Sequence, residues 1–231
     1  MLQGRRAMTE TARSSRRPRD PVATREAILE AASHLLAKDG PEGISLSQVA
    51  HAAEVNRGTA YQHFETRENL IQATVDWASD KLFRAAFGDP ETLGERQVEQ
   101  VDTMDLTERI AVFAMANPEL CRVWLMQVIG APDPSKDMFW REYQGSFQRF
   151  ADSELATPGI DTEVLSVMML AGLFLWPMWA QSHADDPATR TGLARRFARE
   201  CLRISLHGTM KPECFPELVR DLATGTVEGK A

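Results

Sequence analysis

The amino-acid sequence predicts an all-α protein, and three observations carry that prediction. Apolar residues recur at spacings of three and four, and no run alternates with period two for long enough to make a strand. Helix starts and stops are marked by a repeated set of capping residues. The chain's 12 prolines include several directly after Asp or Asn, where proline fits the first turn of a helix.

Residues 1–20 hold six arginines (Arg5, Arg6, Arg13, Arg16, Arg17 and Arg19) among Ser and Thr and almost no apolar side chains, so they are expected to form a flexible basic arm. A first helix is predicted over 22–38, with Ile28, Ala31, Leu35 and Leu36 inward and Gly40 as its stop. Ser45 followed by Gln48 is a capping box that opens a second helix over 46–53. Asn56 caps a short third helix over 57–63, and Thr66 caps a long fourth one that runs to Phe87, before Gly88. Later starts use an Asp N-cap followed by proline, at Asp89-Pro90, Asp133-Pro134 and Asp186-Pro187, with Asn117-Pro118 as a variant. These predict helices near 90–102, 105–116, 118–130, 134–155, 161–183 and 187–207, with a short piece near 213–223. No repeat of 20–50 residues is visible.

The net charge of −7 argues against nucleic acid until its distribution is considered. Residues 1–70 carry ten Lys and Arg against nine Asp and Glu, and the remainder carries sixteen against twenty-four. An acidic body would repel DNA while the N-terminal end could accept it. No stretch of about 18 consecutive apolar residues is present, and the basic N-terminus lacks the apolar block of a secretory signal, so no membrane partner and a cytoplasmic location are expected. Cys121, Cys201 and Cys214 are odd in number and widely spaced, which suits reduced thiols better than a disulfide frame or a zinc site. No metal site or cofactor is expected.

The segment from Ser45 to Arg67 has the dimensions of a helix-turn-helix, two short helices joined through Glu54-Val55-Asn56. Ala50 and Ala53 are small where the helices must cross. Leu46, Val49, Val55, Ala60 and Phe64 can bury against the first helix, leaving the opposite face of the third helix free. Arg57, Thr59, Gln62 and His63 on that face can reach base edges or phosphates. Gly58 lets the backbone approach DNA closely, with the helix dipole favouring phosphate. The Tyr61 hydroxyl can donate to a phosphate, and Arg67 can clamp the backbone from the other side. On spacing alone, the same segment also suits an ordinary corner of a helical protein.

The run Thr24-Arg25-Glu26-Ala27-Ile28-Leu29-Glu30-Ala31-Ala32, then Gly40, Ile44-Ser45-Leu46-Ser47-Gln48-Val49-Ala50, Val55-Asn56-Arg57-Gly58-Thr59-Ala60-Tyr61-Gln62-His63-Phe64 and Arg67-Glu68-Asn69-Leu70 resembles the DNA-binding domain of the TetR family. It covers a fifth of the chain. The resemblance implies a three-helix helix-turn-helix domain over 21–70 and a helical ligand-binding and dimerisation domain over 71–225. It implies that Ser45, Arg57, Gly58 and Thr59, with Tyr61, His63 and Arg67, face double-stranded operator DNA. The expected activity is that of a ligand-responsive repressor. One position departs from the family pattern: Glu54 stands where glycine is usual in the turn, and a non-glycine residue at positive φ costs on the order of 1 kcal/mol.

The body carries no nucleophile elbow, phosphate-cradling glycine loop or metal-ligand pair, so the protein is not expected to be an enzyme. It is rich in methionine and tryptophan, which fill irregular cores and also line adaptable apolar pockets. The resemblance implies such a pocket, for a small apolar or aromatic ligand, with Trp124, Gln127 and Phe139 and Tyr143, Met169 and Phe174 as lining residues. The alternative is an all-α small-molecule enzyme or carrier built on the same methionine-rich body. The last two long helices resemble the family's dimerisation pair. One stripe of Ile160, Val164, Val167, Ala171, Leu175 and Met178 and another of Leu193, Phe197, Cys201 and Ile204 could pair across a two-fold axis in a homodimer, or could face the protomer's own core.

Overall fold

The computed structural model describes residues 20–92, 101–184 and 186–224, and the fold is all-α, without a strand among those residues. The basic arm expected over 1–20 lies outside them except for Asp20. Helix α1 spans Pro21–Asp39, α2 Leu46–Ala52, α3 Arg57–His63 and α4 Arg67–Phe87. The remaining helices are α5 (Thr103–Ala116), α6 (Pro118–Ile129), α7 (Met138–Ala151), α8 (Thr162–Gln181), α9 (Pro187–Gly208) and α10 (Pro216–Thr224).

The caps explain these boundaries. Asp20 accepts a hydrogen bond from the Val22 amide and Pro21 opens α1, so the Asp-Pro device seen later in the chain also begins the first helix. The same device at Asp186 starts α9, where the carboxylate accepts from the amides of Ala188 and Thr189. At the two other Asp-Pro sites the outcome differs from the sequence expectation. Pro90–Thr92 and Pro134–Lys136 are single 3-10 turns, and 93–100, most of the helix expected over 90–102, lies outside the described residues. The helix expected from 134 instead begins at Met138, because a second aspartate, Asp137, takes the Trp140 amide at 2.8 Å and restarts the chain. It ends at Ala151, and the following segment is drawn into an isolated antiparallel bridge between Ala156 and Met210.

Two cores result. In the N-terminal head, Ile28, Leu29, Ala32, Leu46, Val49 and Ala60 pack with Phe64 and Leu70. In the body, α4 to α9 enclose an aromatic centre. Trp124 meets Phe139 and Phe174 edge-on, at ring-centroid distances of 5.2 and 5.7 Å, and its indole N–H donates to Asp137 at 3.0 Å. Asp137 therefore caps α7 and fixes α6 at once. Half-buried Trp77 on α4 packs against both cores.

The head is joined to the body along α1 and α6. His34 Nδ1 stands 2.5 Å from Glu119 Oε2, the Arg122 guanidinium donates to the Ala37 carbonyl, and Val123 packs with Leu36, Ala37 and Ile44. Helix α8 is long and apolar enough to cross a bilayer by length and composition, yet Leu170, Leu173, Phe174 and Pro177 are buried in the body. Its outer side exposes Val164, Val167, Leu175 and Met178. On α9 only Ile204 of the expected stripe is exposed, whereas Leu193 and Phe197 pack inward. The reason is Gly172 on α8, where an added Cβ would stand 3.2 Å from the Phe197 ring. That gap admits Phe197 onto Trp176 and begins a ladder of stacked rings, Phe197, Trp176, Trp179 and His183, with successive centroids 5.5, 4.7 and 3.9 Å apart.

Candidate nucleic-acid interface

Helix α2 opens at Ser45, whose hydroxyl takes the Gln48 amide and donates to Gln48 Oε1 at 2.6 Å. It closes in a Schellman motif. The Glu54 amide donates to the His51 carbonyl at 3.1 Å and the Val55 amide to the Ala50 carbonyl at 2.9 Å, the paired bonds that finish a helix around a left-handed residue. That residue is Glu54, at φ 53°, and it has no other non-glycine companion at positive φ among the described residues. The strain expected from the sequence at this turn is present. Val55 then tucks against the head core and Asn56 turns the chain into α3, its side chain accepting the Gly58 amide at 2.8 Å.

Helix α3 buries only Ala60. Arg57, Gly58 and Gln62 are exposed, Thr59 and His63 half-buried, and Tyr61 41% exposed. One solvent-facing surface therefore carries most of the side chains expected to face DNA. Arg57 lies over the Tyr61 ring, its guanidinium carbon 5.4 Å from the centroid, and donates to the Tyr61 hydroxyl at 3.4 Å. The two side chains are thus held together, one turn apart. A Cβ at Gly58 would meet only Asn56 Oδ1, at 3.4 Å, so nothing within the protein demands glycine there. Arg25, to which the sequence reading gave no role, sits 5.1 Å from the ring of Phe64, the residue that closes the C-terminal end of α3.

Ser45, at the start of α2, and Arg67, at the start of α4, are already engaged. The Ser45 hydroxyl is half-buried in its capping box. Arg67 pairs with Glu42 at 3.2 Å, and its Nε is buried without a hydrogen bond among the described residues, the Glu68 carboxylate lying 3.7 Å away. Acidic side chains outnumber basic ones eight to four over residues 20–70.

The body contains a second concave feature, a cavity of about 150 Å³ between α5, α7, α8 and α9, closed on one side by Phe87 at the end of α4. Of the lining residues expected from the sequence, it brings Tyr143 and Met169 to the wall. Trp124, Phe139 and Phe174 do not line it; their rings satisfy one another in the core. Gln127 is half-buried on α6, away from the cavity. The lining instead takes Tyr143, Phe147 and Phe150, spaced by four and three along α7, a periodicity legible in the sequence but not used. Burial pushes the Cys201 thiol in this wall up to about 11, with the charge of Glu200 adding to the effect, and burial also raises Tyr143, so both stay protonated and neutral.

The sequence model of bacterial regulatory proteins of the tetR family matches residues 28–74. The chain is similar to the HTH-type transcriptional repressor Rv3405c of Mycobacterium tuberculosis, 35% identical over 75 residues, which is 32% of this chain and 40% of that protein. The match thus spans less than half of that relative's length. Among solved structures, a gamma-butyrolactone receptor (ArpA like protein) superposes with a TM-score of 0.61 at 23% identity, covering 88% of this chain and 96% of the other. AibR, solved in complex with isovaleryl coenzyme A and operator DNA, gives 0.57 at 17% identity, covering 76% and 96%. At such identities these two share the fold. Residues 28–74 therefore carry the N-terminal module of the tetR family of bacterial regulatory proteins, set on an all-helical body whose fold is shared with those two structures.

Proposed function

We propose that the protein is a transcriptional repressor that binds a near-palindromic operator as a homodimer and releases it when a small molecule enters the body cavity. The observation that carries this reading is α3. A seven-residue helix that buries one side chain, holds Arg57 and Tyr61 together and has an unfilled Gly58 is shaped for an outside partner. Arg67 is half-buried and paired at 3.2 Å with an exposed Glu42 carboxylate, a surface pair that a phosphate at the edge of that surface could replace.

Dimerisation follows from two considerations. One short helix buries too little surface for specific binding, whereas two presented roughly 34–36 Å apart meet successive major grooves on one side of the duplex. The exposed apolar side chains on α8, with Ile204 on α9, supply a surface for the second copy. Coupling would run through α4, in which Leu70 belongs to the head core and Phe87 closes the cavity. At 1.5 Å per residue its ends lie about 30 Å apart, so a ligand that favours a tilted α4 changes the spacing of the two α3 helices and weakens operator binding.

The test is selection of bound duplexes from a random pool, followed by gel retardation with variants. Arg67→Ala should weaken binding to all sequences alike and lower the slope of log affinity against log salt by about 1. Tyr61→Phe should also weaken retention. Wild-type affinity in both variants would remove the assigned roles, and failure of the purified protein to retard any duplex at low ionic strength would remove the reading itself.

A further inference from the structure

The cavity wall has an unusual charge arrangement. Its apolar part comes from side chains such as Leu106, Ile110, Leu173 and Leu202. Among the described lining residues only Glu142 and Arg149 are charged, and they face each other at 2.5 Å. Thr107, Ser146 and Thr209 already donate their hydroxyl protons to carbonyls of their own helices. Tyr143 and Ser205 also line the cavity, and their hydroxyls make no hydrogen bond among the described residues. The wall therefore presents apolar surface, neutral hydrogen-bonding groups and a cation that is already neutralised.

Building on the ligand-responsive reading above, we propose that this cavity selects an uncharged molecule with a compact apolar body and one hydrogen-bonding group, and that Glu142 excludes anions by holding Arg149. The size fits a body of about one aromatic ring, since a cavity near 150 Å³ accommodates benzene. A carboxylate moved into such a site without a free cation meets a large desolvation cost. To recruit Arg149 it would have to displace Glu142, leaving two carboxylates competing for one guanidinium. A neutral amide or alcohol avoids that competition and can use Tyr143 and Ser205.

Phenylacetamide and phenylacetate have nearly the same shape and differ in charge, so they separate the alternatives in titration calorimetry of the full-length protein at neutral pH. Wild-type protein is expected to bind phenylacetamide at least about tenfold more tightly than phenylacetate. Glu142→Gln frees Arg149 and should raise phenylacetate affinity by about tenfold or more, narrowing or reversing the preference. Arg149→Gln should keep the preference for the amide. Both positions are partly solvated ion-pair partners, so both variants are expected to fold, which melting curves will check. Equal binding of the two probes by wild type, or an unchanged ratio in Glu142→Gln, overturns the charge-selection role. Binding of neither probe overturns the site as a pocket for a compact neutral ligand, whereas DNA retardation by the same preparation reports independently on the regulator reading.

Discussion

The head and the body of this protein use the same material, amphipathic helices on a buried core, to opposite ends. In the head, α2 and α3 are seven residues each and are held by caps, by the Glu54 turn and by a few small or branched side chains, so most of α3 is left facing outward. In the body, helices of 12 to 22 residues bring large aromatic rings together, and the unfilled space between them is the cavity. The surface proposed to meet DNA is what remains outside when a short helix is anchored at its ends. A pocket is what remains inside when long helices meet around side chains that do not quite fill the space.

That contrast can be broken in graded steps. The largest expected effect is in the body: Trp124→Ala removes a fully buried indole, two edge-on ring contacts and the N–H bond to Asp137. A loss of about 3–5 kcal/mol is expected in denaturant titration, while operator affinity per folded molecule stays near wild type. A variant that unfolds like wild type would show that the aromatic cluster is not what holds the body together. Next comes Asn56→Ala, which deletes the cap of α3 and should cost about 1 kcal/mol of stability. Its effect on DNA retention should exceed that of Trp124→Ala, because it loosens the helix proposed to meet DNA; the reverse order would contradict the division of labour. The smallest effect is a gain. Glu54→Gly relieves a positive φ worth up to about 1 kcal/mol, and a rise of at most about 2–4 °C in melting temperature is expected. Tighter operator binding should accompany it as a carboxylate leaves the turn before α3.

The same contrast explains what could be read from the chain alone. Ser45, Asn56 and Thr66 were legible as helix starts because a cap acts on an amide two or three residues away, and the strain at Glu54 was legible only through the family resemblance, which places glycine there. In the body, local signals pointed the wrong way twice. Asp133-Pro134 has every mark of a helix start, yet it makes only a turn, since Asp137 is the carboxylate that also reaches Trp124 on another helix. Trp124, Phe139 and Phe174 have the size and softness of pocket walls, but which rings close on each other depends on three helices meeting. For Phe197 the sequence left a dimer seam and the protomer's own core both open, and it turns inward because a glycine on a different helix, Gly172, makes room for it. Contacts between distant segments are not written in the spacing of either one.

The ladder of rings at the end of α8 makes the molecule its own optical gauge. Two indoles lie within 4.7 Å of each other, and the outer one, Trp179, is 48% exposed beside the apolar flank of the same helix. Covering that flank would strip water from Trp179 and shift its emission toward the blue, so a dilution series read in a fluorimeter can follow association of two chains without a dye, and Trp179→Phe supplies the blank.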